Sequence, residues 1–389
     1  MTSCLIVAGE KSGEEHVLSF YDDLVADCPK TSFYGVAGDA LEAKGFELLY
    51  HLRDFSTLGI VEAISRLGFY LKAVKAIEAE VARRKTETAI LVDFQDFNMF
   101  LAKKLKKRGV KILYYVAPTA WIWRPGRAKA LAQRVHTLFT IFPFERKWFE
   151  SRGVGRVKTV QHPLLTKYRK RLSRLQKKSE GNREGTFNQN SPEKKARILL
   201  LPGSRTLEIT SLLPEFLWAV SELKKGWNIE VGVVKAQSIR EELFARYPYP
   251  FDVVYEETRL ADALEWAHIC LAASGTVTLS CALFQVPTIV AYKMNLFNET
   301  IFSLLSAGYK GPISLPNIIK GQKVFPEFLQ VEANGFNFLR ILKLWLTKAE
   351  VYEKIGEQLK TMPKSLEGED IHVAKYMASV IHSHRSGPL

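Results

Sequence analysis

The chain has 389 residues, 47% of them apolar and 25% charged, with a formal charge of +14. That is the composition of a soluble globular protein too long for one ordinary core, so two domains are expected. The opening MTSCLIVAGE lacks a basic region followed by a long apolar stretch, and no run of about 18 apolar residues occurs, so neither a signal peptide nor a transmembrane helix is expected.

Leu5-Ile6-Val7 reads as a short buried strand running into Ala8-Gly9-Glu10-Lys11-Ser12-Gly13 and then a helical pattern over 15–26. Strand, glycine-containing loop and helix open a nucleotide-binding α/β unit. The loop is not GxGxxG, so dinucleotide binding is not indicated. Residues 33–37 predict a second strand, 70–84 a helix by its 3.6-residue period, and 89–93 a strand ending on a carboxylate. A basic-tipped helix follows over 97–107, closed by Gly109. Further strands are expected at 111–116 and 137–141. The alternation predicts a parallel, doubly wound sheet.

Between Lys167 and Arg197 stand 11 Lys/Arg against 3 Glu, which places +8 of the chain's charge in one segment. Its first third fits an amphipathic helix, and 180–192 a loose loop. We read 167–196 as a basic linker. Nucleic acid calls for aromatics among the cations or a recognised module. Only Tyr168 and Phe187 are present. No nucleic-acid partner is expected, and an anionic membrane surface fits better.

A second alternating half follows, with strands at 197–201, 229–234, 252–255, 269–273 and 287–292. Helices are expected at 212–225, at 261–267 and from Ser274-Gly275-Thr276 to about Phe284. Residues 330–389 read as mostly helical. The expected organisation is an N-terminal domain over 1–166, the linker, a C-terminal domain over 197–345, and helices over 346–389 packing back on the N-terminal domain. The fold class is α/β: two Rossmann-like doubly wound domains facing a cleft, with ligands beyond the carboxyl ends of the strands. Cys4, Cys28, Cys270 and Cys281 are scattered, and no CxxC or HExxH occurs. Neither a disulfide framework nor a metal site is indicated, and a reducing cytoplasm fits.

Four polar loops stand where strands should end: AGEKSG with Ser12 and Gly13, Asp93 to Asn98, Pro202-Gly203-Ser204-Arg205, and Ser274-Gly275-Thr276. Pro-Gly is common turn chemistry, and Ser and Thr cap helices without any ligand. Equally, a helix N-terminus suits phosphate, and Arg205 could add a bidentate fork. Two such loops in one half favour phosphate. A carboxylate at the end of an apolar strand is costly unless solvated, bonded or functional. We therefore assign Asp93 to chemistry, as a general base, and Asp96 to capping the 97–107 helix. Trp121, Trp123 and Arg124 suit a sugar or acyl platform beside an anion, or else core packing. His16, His51, His136 and His162 form no constellation.

The stretches VAGEKSGE, YGVAGDALEAKG, LGIVEAISRL, VDFQDFN, YYVAPTAWIWRPGR, FPFE, LLPGSRTLEI, AASGTVTL, YKM and SLPNIIKG occur in this order. Together they resemble the lipid-A-disaccharide synthase family, inverting glycosyltransferases of the two-domain GT-B type, over roughly residues 3–345. The resemblance implies transfer of diacylglucosamine from UDP to diacylglucosamine 1-phosphate through a β-1,6 link, with no cofactor. It implies that Asp93 is the catalytic carboxylate, that Arg205 and the 274–276 loop hold the UDP diphosphate, and that Asn317 lines the same cleft. Ser12, Gly13, Asp96, Asn98, Trp121 and Arg124 fall to the acceptor or sugar side. Residues 58–71 could offer an apolar surface to acyl chains, or form an ordinary buried helix face. A cytoplasmic protein, peripheral on the inner face of the inner membrane, follows, with a homodimer as an option.

The chain departs from the family pattern at Glu14 for an aspartate, Gln161 for a glycine, an aspartate missing shortly after His162-Pro163, and Ser280 for a glutamate that typically holds the nucleotide ribose, and its 170–195 segment does not match well. The alternatives are another UDP-sugar or acceptor on the same fold, or a non-catalytic paralogue that binds membrane or a partner.

Overall fold

Runs such as Cys4–Ala8 and Ala89–Val92 are apolar at every position, which suits strands buried on both faces of a parallel sheet. The computed structural model describes residues 2–55, 67–121, 124–179, 195–293 and 311–383. The chain forms two compact units: 1–163 together with 367–389, and 164–366.

The first unit has seven parallel strands: β1 (Thr2–Ala8), β2 (Thr31–Ala37), β3 (Glu47–His51), β4 (Thr88–Val92), β5 (Lys111–Tyr115), β6 (Thr137–Thr140) and β7 (Val157–Thr159). Their order is β3-β2-β1-β4-β5-β6-β7. Side chains alternate between two cores. Leu5 and Val7 join Tyr34, Val36 and Leu91 on one face, while Cys4, Ile6 and Ala8 join Ile90, Val92 and Leu113 on the other.

The helix expected over 15–26 is two, Lys11–Leu18 and Tyr21–Asp27. The Ser19 hydroxyl and N–H both donate to the His16 carbonyl, at 2.6 and 3.2 Å, and Phe20 turns inward to be buried. Gly109 closes the helix Gln95–Lys107 as expected. It adopts φ +79°, its N–H donates to Lys106 O, and Val110 N–H donates to Leu105 O.

The chain returns to this unit at its end. Helix Val373–His382 buries Ala374, Met377 and Ile381 in the core that holds Tyr21 and Leu24. Glu369 pins the return, accepting from Thr159 N–H (2.9 Å) and Arg146 (2.8 Å).

The second unit has six parallel strands: β8 (Ala196–Leu201), β9 (Ile229–Lys235), β10 (Val253–Glu256), β11 (Ile269–Ala273), β12 (Thr288–Tyr292) and β13 (Glu327–Leu329). Their order is β10-β9-β8-β11-β12-β13. Helices Gly335–Thr347 and Ala349–Lys360 stay here. So does the first part of the segment read as a linker: Pro163–Ser179 is a packed helix. Tyr168 meets Phe284 edge-on at 5.0 Å, and Arg171 pairs with Asp262 (2.7 Å) and Glu265 (3.1 Å). The loop expected over 180–192 lies outside the described residues. The helix expected from 212 begins at Thr206, right after the Pro202–Arg205 turn.

Candidate active site

In both sheets the strand order reverses beside the first strand, between β1 and β4 and between β8 and β11. Open parallel sheets bind ligands in the crevice beyond such a switch point. The four polar loops singled out in the sequence follow these four strands.

In the first unit the crevice joins Ser12 and Asp93, whose Oγ and Oδ2 lie 3.5 Å apart. Asp93 has φ +47° and Phe94 φ +44°, consecutive left-handed residues that carry strain. The surroundings hold them there. Asp93 N–H donates to Tyr115 O (2.9 Å), while its carbonyl accepts from Asn98 Nδ2 (2.9 Å) and the Tyr114 hydroxyl (3.2 Å). Phe94 stacks on Phe97 (5.3 Å) and meets Phe55 edge-on (5.6 Å). Gly9 faces the Phe94 ring so closely that a Cβ there would overlap it. Burial raises the Asp93 carboxyl above the ordinary range, with the Ser12 hydroxyl and the Phe94 N–H partly offsetting it.

Several predicted residues have other tasks. Asn98 is fully buried and its amide ties Val92 O (3.1 Å) to Asp93 O, so it supports the Asp93 backbone rather than lining an open surface. Asp96 does not cap its helix. The N-cap position is Phe94, and Asp96 sits exposed in the first turn, paired with Arg124 (3.1 Å) and Arg127. Arg124 is thereby engaged by a carboxylate of its own unit. Trp121 donates its Nε1–H to Glu145 Oε1 (3.0 Å) and meets Phe144 edge-on, which makes it a structural pin. Trp123 and residues 58–66 lie outside the described residues. Gly13 is buried in the first helix, in contact distance of Ala8.

Glu14, a departure from the family pattern, is accounted for locally: its Oε1 accepts the Gly38 and Leu41 N–H groups (2.9 and 3.0 Å). Sequence reading missed Glu145. It is buried, caps the helix Pro143–Glu150 through the Phe142 N–H (3.3 Å), and burial pushes its carboxyl up to about 8. FPFE carries a capping-box spacing that could have flagged it. His16 packs edge-on against Tyr115 (5.9 Å), and burial lowers both it and His162 to about 4.

In the second unit the PGSR turn already holds one anion. Glu208 Oε2 accepts from Ser204 N–H (2.9 Å) and Arg205 N–H (3.3 Å), while Oε1 pairs with the Arg205 guanidinium (3.1 Å). Gly203 has φ +109° and no space for a Cβ beside that carboxylate. Arg205 remains exposed. The neighbouring turn is open: Gly275 and Thr276 are exposed, Ser274 is half-buried, and helix Thr276–Leu283 starts with no side-chain cap bond. Among the described residues, its first-turn N–H groups and Arg205 bring positive potential to the loops after β8 and β11. Tyr292, ending β12, lies close enough to Arg205 for the guanidinium to oppose the rise that burial gives its hydroxyl pKa.

Asn317 is not a free ligand group. Its Oδ1 accepts from Val324 and Phe325 N–H, and its Nδ2 donates to Phe325 O and Glu327, all at 2.8 Å, so every site on the amide is filled. Ser280 is buried in its helix and offers no carboxylate to a nucleotide. Among the described residues no cluster of three or more His, Cys, Asp or Glu converges, and no helix is long and apolar enough to cross a membrane.

A model of the lipid-A-disaccharide synthetase family matches residues 4–380. The lipid-A-disaccharide synthase of Myxococcus xanthus is 34% identical over 340 residues, covering 84% of each chain. That of Geobacter sulfurreducens is 30% identical over 365 residues, covering 93% of this chain and 92% of its own. Among solved structures, the UDP complex of MnaA from S. aureus matches with TM-score 0.57 at 12% identity, over 99% and 97% of the two chains. The calicheamicin glycosyltransferase CalG4 matches with TM-score 0.55 at 11% identity, over 100% of both. At such identities the structures show the fold alone, and that fold is the GT-B class.

Proposed function

The chain belongs to the lipid-A-disaccharide synthase family, a family of glycosyltransferases, and from that premise we propose the chemistry and the residues that carry it. The donor is UDP-2,3-diacylglucosamine and the acceptor 2,3-diacylglucosamine 1-phosphate. The acceptor 6-hydroxyl attacks the donor anomeric carbon. Its proton passes to an Asp93 carboxylate oxygen as the C1–O bond to diphosphate breaks, and UDP departs with the bonding electrons. One displacement inverts the anomeric centre, so the product link is β-1,6. Negative charge growing on the diphosphate is met by Arg205 and by the open N-terminus of helix Thr276–Leu283.

The observation that carries this reading is Asp93 itself. A carboxylate held at a switch point, in strained backbone and with a raised pKa, is poised to take a proton. Asp93→Asn should lower turnover by roughly 10²–10⁴-fold while UDP binding and the far-ultraviolet spectrum stay unchanged. A variant that kept most of its activity would remove Asp93 from the base role. Since the base must be ionised, kcat/KM should rise with pH through a limb lying above the ordinary carboxylate range. Calorimetry with UDP on wild type and Arg205→Ala separates this function from a non-catalytic role, because absence of saturable binding contradicts a working transferase. Acylated substrates place the work at a membrane surface on the cytoplasmic side.

A further inference from the structure

The helix Pro163–Ser179 carries cations and no acidic residue. Leu165, Tyr168 and Leu172 are buried on one side, with Arg171 beside them. The opposite side exposes Lys167, Arg169, Lys170 and Arg174. Lys167, Lys170 and Arg174 are three and four residues apart, so they share one line along the helix, with Arg169 flanking it. Like charges at these spacings destabilise a helix by a few tenths of a kcal/mol per pair. Among the described residues no carboxylate pairs with them. Asp262 and Glu265 on the neighbouring helix are engaged by Arg171 from the packed side, and Asp262 by Arg259 as well (3.0 Å). Among the described residues the fold thus supplies anions to Arg171, which anchors the helix, and none to Lys167, Arg169, Lys170 and Arg174.

We propose that this stripe is a docking surface for an anionic lipid bilayer. The charge is complementary to lipid phosphates, and each cation near such a surface contributes an attraction of roughly fivefold in partitioning. The stripe presents no exposed aromatic ring to stack bases, because Tyr168, the aromatic residue of this helix, is buried against Phe284. That favours lipid over nucleic acid. The choice of lipid also rests on the acylated-substrate reading above, since such substrates reside in a bilayer. No residue of the stripe belongs to the proposed catalytic or diphosphate-binding sets, so docking and chemistry are separable.

The test uses the full chain and extruded vesicles without substrate, either pure phosphatidylcholine or phosphatidylcholine with about one third phosphatidylglycerol. Wild type should sediment with the anionic vesicles only, and less at high salt. Lys167→Gln, Arg169→Gln, Lys170→Gln and Arg174→Gln together should cut partitioning at least a hundredfold, by roughly fivefold per cation. A charge-matched control, Arg340→Gln, Lys343→Gln, Lys348→Gln and Lys354→Gln, alters four exposed cations elsewhere on the same unit and should retain vesicle binding.

Equal loss in both variants would assign binding to overall charge and overturn the proposal. So would unchanged binding in the stripe variant, or wild type that ignores vesicles and binds a single-stranded oligonucleotide instead. Turnover of detergent-dispersed substrates should be the same in wild type and the stripe variant. If wild type binds vesicles through the stripe but transfers no sugar, the proposed reaction fails while the docking surface stands.

Discussion

Asn98 and Asn317 show how one residue type can serve the backbone of its own fold. Each lies fully buried, and each amide reaches main-chain groups of a different element. Asn317→Ala would strand the N–H and the carbonyl of Phe325, while the Val324 N–H keeps its bond to the Gln322 carbonyl and Glu327 keeps its donors from Ser314. Each buried group left unpaired costs about 1–3 kcal/mol. We expect a loss of roughly 2–5 kcal/mol in urea unfolding with UDP affinity unchanged wherever the protein remains folded. The reverse pattern, weaker UDP binding at full stability, would return Asn317 to the nucleotide. This role could not be read locally. The partners of Asn317 stand seven to ten residues further along, and only the folded turn shows that they fill the amide. Asp93 stood out in the sequence for the opposite reason. A carboxylate that ends an apolar strand is anomalous in any fold, and its anomaly is visible in the sequence.

At the scale of elements, the loop after β1 and the turn after β4 meet closely at Gly9 and Phe94. Gly9 lies against the Phe94 ring, and Phe94 is bonded to Asp93. Gly9→Ala should drive the ring back into Phe55 and Phe97 at a cost of about 1–3 kcal/mol, as overpacking does. Because the displaced residue adjoins Asp93, the proposed base, kcat should fall while UDP binding holds. An unchanged kcat would mean that Asp93 keeps its geometry without Phe94.

The central strands were readable because both of their faces are buried, which leaves unbroken apolar runs. Those that escaped, Glu47–His51, Val157–Thr159 and Glu327–Leu329, all lie at sheet edges. They are short and carry polar residues, so their pairing is decided by neighbours distant in sequence. The break at Ser19-Phe20 was hidden for a related reason: the helical period runs through it, and the first helix ends where Ser19 bonds back to the His16 carbonyl and Phe20 turns inward.

Across the whole molecule, the first unit carries titratable groups that pull in opposite directions. Glu145 rises from 4.5 to about 8 on folding. Its contribution is therefore complete below pH 4.5 and is lost as pH climbs through about 8. His16 and His162 fall from 6.5 to about 4 on folding, so their contribution is present above 6.5 and lost as pH falls through about 4. Thermal melts should show Tm declining toward both extremes. Glu145→Gln keeps an acceptor for Trp121 and should flatten the alkaline side alone. An alkaline decline that survives this substitution would have another origin.

The first unit is also discontinuous in sequence, since helix Val373–His382 completes a core begun by Thr2–Ala8. The ribosome therefore delivers the whole of 164–366 before the earlier-made unit receives its last helix. The second unit can fold during translation, while the first waits with Tyr21 and Leu24 uncovered. A premature stop codon shortly before 373 would thus spare the sheet made last and damage the one made first.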